Sequence, residues 1–205
     1  MPNVPQLRPL VTAIALCLWA ACGPAQAEDR AGVTSTGPAA GTSVGVAERL
    51  GPAAEPRQIL FLDRSALSLD PDGEIVVEAF SFDPAQRQGR LAIRAEAGTL
   101  RFVGGSLSKT GDVTITTPNA AIALRGGIAF VEVQPNGRTS ITLGYGVEAT
   151  VTGRDGSTAR LVQPGETVSV AAEGGVGTPG RAGPAALEAL IRRVEGTRAP
   201  LPGQR

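Results

Sequence analysis

Beyond the N-terminal segment of this sequence, carboxylates are the side chains that could carry acid–base chemistry. The chain has no histidine, and its two cysteines, Cys17 and Cys22, lie close to the N-terminus. A Ser-His-Asp or Cys-His arrangement therefore cannot form in the remainder, and zinc, copper and haem lack their usual ligands there. Glu74, Glu78 and Asp83 could in principle form a hydrolytic carboxylate pair or a calcium site. No DxDxDG loop accompanies them, so we expect no catalytic residue, no metal and no cofactor.

The paired glycines could suggest a phosphate-binding loop, but their context argues against it. Gly104-Gly105 and Gly126-Gly127 each end an apolar run and fit neither GxGxxG nor a P-loop. They predict bulges or sharp corners in a sheet. Aromatic residues are sparse, which disfavours a platform for stacking sugars, and we expect Tyr145 at the edge of the core.

The first 27 residues resemble a secretory leader. Arg8 precedes an apolar run at residues 10–21, and Gly23-Pro24 separates that run from a small-x-small site ending at Ala27. This order is typical of a cleaved signal peptide, and the run is shorter than the roughly 20 residues of a membrane span. Cleavage would leave Glu28 first and place the protein in the periplasm or outside the cell. A buried core helix is the alternative for this segment.

A lipid anchor at Cys22 is a second alternative. Small residues precede this cysteine, as a lipidation site requires, but Leu18 lies four positions before it and Trp19 occupies the usual aliphatic position. The intact mass of the mature protein distinguishes the two outcomes.

The chain beyond residue 27 has 18 basic and 19 acidic residues, a net charge of −1. This balance argues against nucleic acid and against an anionic membrane surface as partners. The same segment contains no cysteine, so packing must stabilise it without disulfides.

The composition divides this part into three regions. Residues 28–57 are rich in Gly, Ala, Pro, Ser and Thr and predict a flexible linker, in which a short strand near residues 44–50 stays open. Residues 58–172 contain short apolar or alternating runs separated by turn signals, including a predicted hairpin turn at residues 70–73, and predict an antiparallel all-β domain. Residues 173–205 form a Gly/Pro-rich tail with one helix at about 185–195.

That helix is predicted from its apolar stripe. Leu187, Leu190, Ile191 and Val194 share one face, Pro184 suits the first turn, and a glycine follows. We expect the stripe to pack on its own domain, with a membrane surface or a partner as alternatives.

Residues 98–133 resemble the FecR domain of bacterial cell-envelope proteins. The matching pattern is a Gly-x-x-Arg-Phe-x-x-Gly segment, a lysine, a Thr-Pro pair and a strand ending in Arg-Gly, here Gly98, Arg101, Phe102, Gly105, Lys109, Thr117, Pro118, Arg125 and Gly126. Residues 62–67 and 79–84 resemble the family's preceding hairpin, and residues 144–147 and 163–166 its closing strands. The resemblance implies a β-rich recognition, regulatory or scaffold domain of the cell envelope that binds another envelope protein or polymer and is not an enzyme. Whether its sheet closes as a roll, a solenoid or a sandwich stays open.

Three departures from the family pattern bear on function. The best-known member contacts a sigma factor through a cytoplasmic segment, and nothing precedes the leader here, so we expect no such contact. Gly127 replaces the more frequent threonine after Arg-Gly. The region before Gln58 lacks the family's sheet pattern, which would leave residues 58–63 as an open edge for self-association or for a partner strand.

The candidate interaction residues are therefore those of the family motif: Arg101, Phe102, Thr117, Pro118, Arg125, Gly126 and Gly127. Arg125 is the first to test, because a guanidinium at a glycine corner can make bidentate contacts. An intramolecular bond that holds the turn is its alternative role. A self-associating surface protein is the alternative function.

Overall fold

The computed structural model describes residues 30–36, 40–110 and 113–196. The leader-like segment, with Cys22, Ala27 and Glu28, lies outside them. The strands are β1 (Arg30–Thr34), β2 (Ser43–Gly45), β3 (Arg49–Leu50), β4 (Arg57–Phe61), β5 (Ala66–Leu69), β6 (Glu74–Asp83), β7 (Gln88–Val103), β8 (Val113–Thr116), β9 (Ala120–Arg125), β10 (Ile128–Val133), β11 (Thr139–Tyr145), β12 (Glu148–Gly153), β13 (Thr158–Leu161), β14 (Glu166–Val170) and β15 (Gly180–Arg181). A 3-10 helix (Leu107–Lys109) and the helix α1 (Pro184–Glu195) complete the described elements.

The strands form one mixed sheet that bends along β7 into two halves. Sheet A has the order β2-β1-β4-β5-β7-β10-β11-β14-β15 and sheet B the order β3-β6-β7-β8-β9-β12-β13. The first part of β7 pairs with β6 and β8, and its last six residues pair with β5 and β10. Gly98 lies at the bend with φ +82°, and a Cβ there would be 2.6 Å from the backbone nitrogen of Gly73. The bend therefore requires glycine.

Buried side chains of both halves form one hydrophobic core. Alternation along the strands accounts for it, because period two places every second residue on the inner face. In β9, Ile122 and Leu124 are buried while Ala121 and Ala123 are exposed. The largest fully buried side chains are Phe61, Phe102, Ile59, Leu67, Leu69, Ile75, Leu91, Ile93, Leu100, Leu107, Ile115 and Ile122. The prediction of an all-β fold with one short helix is confirmed.

The prediction of a flexible linker at residues 28–57 is wrong for most of that segment. It contributes β1, β2 and β3, and β1 pairs with β4 so closely that a Cβ at Gly32 would be 2.6 Å from the carbonyl oxygen of Leu60. Small residues permit this close approach. Strands from elsewhere in the chain supply the pairing that orders the segment, and its own composition does not predict that pairing. Because β4 pairs with β1 and β5, the open edge expected at residues 58–63 does not form.

The turn at residues 70–73 is present but does not make a hairpin. It leads from β5 in sheet A to β6 in sheet B, and these strands pair with other neighbours. The expectation of antiparallel pairing also has one exception, since β7 and β8 run parallel.

Helix α1 packs on the outer face of sheet A. It begins at the predicted Pro184, and Val194 is 3% exposed. Ion pairs join Glu195 to Arg101 of β7 and Arg193 to Glu132 of β10. The apolar stripe thus packs on its own domain, as expected. Within the described ranges, no helix is long and apolar enough to span a membrane.

Candidate functional site

The three carboxylates considered for catalysis do not converge. Glu74 pairs with Arg49, and Glu78 accepts a hydrogen bond from Nε of Arg94 at 2.8 Å. Asp83 accepts from two backbone N–H groups of the following turn. Glu74 and Asp83 lie at opposite ends of β6, about 30 Å apart along an extended strand. No group of three or more His, Cys, Asp or Glu in the described part of the chain is arranged to hold a metal ion.

Arg101 and Phe102 point to opposite sides of sheet A. Phe102 is 1% exposed and belongs to the core, so it cannot contact a partner in this fold. Arg101 lies on the outer face, where it pairs with Glu195 of helix α1. Its role in the structure is to hold this helix against the sheet.

Thr117 and Pro118 lie in the turn between β8 and β9. The side chain of Asn119, in the same turn, makes the hydrogen bonds that hold this turn in place. The Asn119 amide donates to the carbonyl oxygens of Gly137 at 2.8 Å and Ala171 at 2.6 Å. Its oxygen accepts from the hydroxyls of Thr139 at 2.6 Å and Thr117 at 3.0 Å. The pair Thr117-Pro118 therefore belongs to a structural junction that joins three turns, and no local pattern in the sequence identifies Asn119 as its centre.

Arg125, Gly126 and Gly127 form the corner through which the chain passes from β9 in sheet B to β10 in sheet A. Gly127 has φ +98°, and a Cβ on it would lie 1.9 Å from the carbonyl oxygen of Tyr145. The N–H of Gly126 donates to the carbonyl oxygen of Ser108 at 2.7 Å. The predicted sharp corner is therefore present, and close backbone approach explains its glycines.

A second corner crosses the first in the opposite direction. Residues 145–147 lead from β11 in sheet A back to β12 in sheet B, and Gly146 has φ +148°. The N–H of Val147 donates to the carbonyl oxygen of Arg125 at 3.3 Å. Tyr145 is 68% exposed and Val147 is 67% exposed. The expected position of Tyr145 at the edge of the core is wrong, because alternation ends where the chain leaves the sheet.

Arg125 is exposed and makes no side-chain hydrogen bond to a described residue. Its neighbour Glu148 is already engaged, since Arg160 donates to both of its carboxylate oxygens, at 2.9 and 2.7 Å. These bonds from Arg160, followed by one from Thr150, lower the pKa of Glu148, and the charge of Arg125 adds a smaller effect. The intramolecular bond considered for the Arg125 side chain is thus not formed with any described residue. We call Arg125, Tyr145 and Val147 the corner surface.

Residues 51–147, which include both corners, match the family model described as FecR protein. The chain therefore carries a FecR domain over these residues, as its motifs predicted. This match over slightly less than half of the chain supports a regulatory module of envelope signalling.

Two crystal structures of a candidate anti-sigma factor from Parabacteroides distasonis have a similar fold. They are 14% and 13% identical to this chain, with TM-scores of 0.53 and 0.54. Each comparison covers 71% of this chain and 64% or 65% of the other chain, so this chain spans slightly less than two thirds of those proteins. At such identity the likeness shows the fold alone. No curated protein sequence matches the chain.

Proposed function

We propose that this protein is a non-enzymatic recognition module of the cell envelope that binds a protein partner through the corner surface. The observation that carries the proposal is the exposure of Tyr145 and Val147 beside an arginine that has no hydrogen-bonded partner among the described residues. Tyrosine and arginine are enriched among residues that dominate binding energy at protein interfaces.

The backbone beneath this surface favours binding. The two glycine corners are joined by the hydrogen bond of 3.3 Å from the N–H of Val147 to the carbonyl oxygen of Arg125. Hydrogen bonds of 2.7 Å from Gly104 to Gly127 and from Gly126 to Ser108 hold the first corner against residues 104–108. A backbone held in this way loses little conformational freedom when a partner binds, which improves affinity without further contacts.

Export from the cytoplasm is part of this proposal. It is supported by Arg8, the apolar run at residues 10–21 and the small-x-small site that ends at Ala27. Cell fractionation followed by the intact mass of the product tests it. A mass that begins at Glu28 supports cleavage of a leader, a mass that begins at a lipidated Cys22 supports the anchored form, and an unprocessed cytoplasmic chain contradicts export.

Photo-crosslinking in the native host tests the partner. A benzophenone amino acid is placed at position 145 and, as a control, at position 158, an exposed site on β13 near the opposite end of the sheets. We expect a specific protein adduct at 145 only, and we expect R125E to reduce its yield at least about tenfold while R138E leaves it unchanged. The same adducts at both positions would contradict the proposed surface. An adduct of twice the chain mass at 145 would identify a second copy as the partner.

A further inference from the structure

We propose that the protein also binds a phosphoryl group in a basic cavity at the same end of the molecule. The cavity has a volume of about 530 Å³ and is lined by Leu62, Arg64, Phe82, Pro84, Arg87 and Lys109, together with Gly104, Gly105 and Ser106. This inference concerns a ligand distinct from the proposed protein partner and does not depend on it.

Three cations from three separate loops meet at this cavity. Arg64 lies between β4 and β5, Arg87 between β6 and β7, and Lys109 in the 3-10 helix after β7. None of the three side chains makes an ion pair or a hydrogen bond with a described residue, whereas nine of the thirteen other described arginines do. No described acidic residue lines the cavity. The net charge of −1 therefore conceals a local excess of positive charge.

The nearest described acidic groups along the chain, Asp63 and Asp83, are occupied elsewhere. Asp83 accepts hydrogen bonds from the backbone N–H groups of Ala85 and Gln86 at 2.8 and 3.2 Å, within the turn that carries Arg87. Asp63 is fully buried and accepts from Ser65 and from Leu107. Both carboxylates thus shape the loops that carry the cations and leave the cations available to an added anion.

The backbone at two of the cations is strained. Arg64 has φ +68° and Arg87 has φ +54°, and these are two of the three described residues other than glycine with positive φ. Such a conformation is unfavourable for a residue other than glycine and persists only where surrounding structure holds it. At Arg64 that structure includes a hydrogen bond of 3.0 Å from its N–H to the carbonyl oxygen of Phe61. The strain supports a functional role because such positions concentrate at binding sites.

The chemistry of the lining favours a phosphoryl group that is attached to an apolar group. Two guanidinium groups can bind phosphate oxygens in bidentate fashion, and Lys109 adds a compact charge, so the three together suit a multiply charged oxyanion. Leu62 is 55% exposed, and Phe82 and Pro84 extend the apolar wall. The phosphoryl group could come from a free phosphorylated compound or from a lipid headgroup.

Calorimetric titration with inorganic pyrophosphate, at low ionic strength, tests the site in the purified, naturally processed protein. Sedimentation with vesicles of phosphatidylglycerol, with phosphatidylcholine vesicles as the neutral comparison, tests the lipid source. The variants are R64Q/R87Q and, separately, K109Q, which changes an exposed residue without positive φ. The control is R138Q, because Arg138 is exposed, has no side-chain partner among the described residues and lies in the turn after β10 at the opposite end.

We expect the protein and R138Q to bind pyrophosphate, R64Q/R87Q to bind at least about tenfold more weakly and K109Q to bind several-fold more weakly. Binding to phosphatidylglycerol vesicles alone, lost in R64Q/R87Q and kept in R138Q, would support a lipid headgroup as the source. Absence of binding to both probes would overturn the proposal, as would an equal loss in R138Q. If R64Q/R87Q fails to fold, K109Q decides: unchanged binding in K109Q would then overturn the proposal.

Discussion

The buried carboxylate of Asp63 accepts a hydrogen bond from the backbone N–H of Leu107 at 3.1 Å, although the two residues are separated by 44 positions. The carbonyl oxygen of Asp63 also accepts from the N–H of Ser106 at 2.9 Å. One residue in the β4–β5 turn therefore holds the loop that follows β7. Because Arg64 and Lys109 flank this contact, Asp63 sets the relative position of two walls of the basic cavity.

Replacing Asp63 with asparagine should lower the free energy of unfolding by about 2–3 kcal/mol. Its Oδ1 accepts from Ser65 and its Oδ2 from Leu107, so an amide must place a donor against one of these donors and leave a buried N–H unsatisfied. Urea unfolding followed by circular dichroism measures the change.

Asp83→Asn is the matched control for Asp63→Asn. The side chain of Asp83 accepts through Oδ1 alone, which asparagine retains, and it is exposed. We expect a change within about 0.5 kcal/mol. Equal losses in the two variants would show that the second oxygen of Asp63 does not bind Leu107 as described.

Asn119→Asp should lower the free energy of unfolding by about 3 kcal/mol. The substitution keeps the size of the side chain but directs a carboxylate at the carbonyl oxygens of Gly137 and Ala171, which now receive the amide N–H groups. Asn136→Asp is the control, because exposed Asn136 uses only its oxygen, which accepts from the N–H of Arg138 at 3.0 Å. Thermal unfolding of both variants measures the difference, and a similar melting temperature for the two would contradict the role of Asn119.

Gly127→Ala should cost at least about 3 kcal/mol of stability, since its Cβ would lie 1.9 Å from the carbonyl oxygen of Tyr145 and the crossing corners would have to separate. Gly156→Ala isolates the cost of the left-handed conformation, because Gly156 has φ +85° and no atom within 4 Å of an added Cβ. That control should lose only about 1–2 kcal/mol. Comparison of the two melting temperatures is the measurement, and equal shifts would refute close packing of the corners.

Asp70→Asn should remove a pH dependence of stability. Burial raises the pKa of Asp70, the charge of Asp72 adds to the rise, and hydrogen bonds from Thr99 oppose it. The native state therefore holds this proton more tightly than the unfolded chain does. This group's contribution to stability should increase as pH falls from neutral toward the unfolded pKa of about 3.9. Unfolding free energies of the protein and of Asp70→Asn, compared across that interval, measure the effect.

The pH dependence of stability that Asp155 contributes should have the opposite sign to that of Asp70. Hydrogen bonds from the hydroxyl and N–H of Ser157 lower the pKa of Asp155, so its contribution is present above the unfolded pKa and is lost as pH falls through the folded pKa. Asp155→Asn keeps the accepting oxygen and removes the titration. If Asp70→Asn and Asp155→Asn changed the pH profile in the same direction, the burial of Asp70 would be wrongly described.

Local pattern predicted the elements well where one face of a strand lies on the core. The alternation of Val113 and Ile115 with threonines correctly identifies the inner face of β8. The same rule fails at Tyr145, because alternation carries no information about where a strand leaves its sheet. It also fails for β1, whose stability depends on β4 as a partner and not on its own composition.

Which strands pair with one another was not predictable from residues that are neighbours in the sequence. The turn at residues 70–73 is recognisable, but nothing in it states that β5 and β6 enter different sheets. Likewise, more than 20 residues separate Arg64 from Arg87 and Arg87 from Lys109, and no sequence pattern relates the three. Only the register of β4 to β7 and the contacts of Asp63 place them around one cavity.

The amino-acid sequence by itself determined the strand-rich fold class and excluded chemistry that needs histidine. It also contained the leader-like start and the FecR pattern. These features could be recognised because composition and short-range periodicity are properties of neighbouring residues. The tertiary structure decided that β1, β2 and β3 extend the sheets, that the two corners expose Tyr145, Val147 and Arg125, and that three cations meet at one cavity. These features arise from hydrogen bonds between distant strands and loops, whose pairing depends on how the whole chain packs around its core.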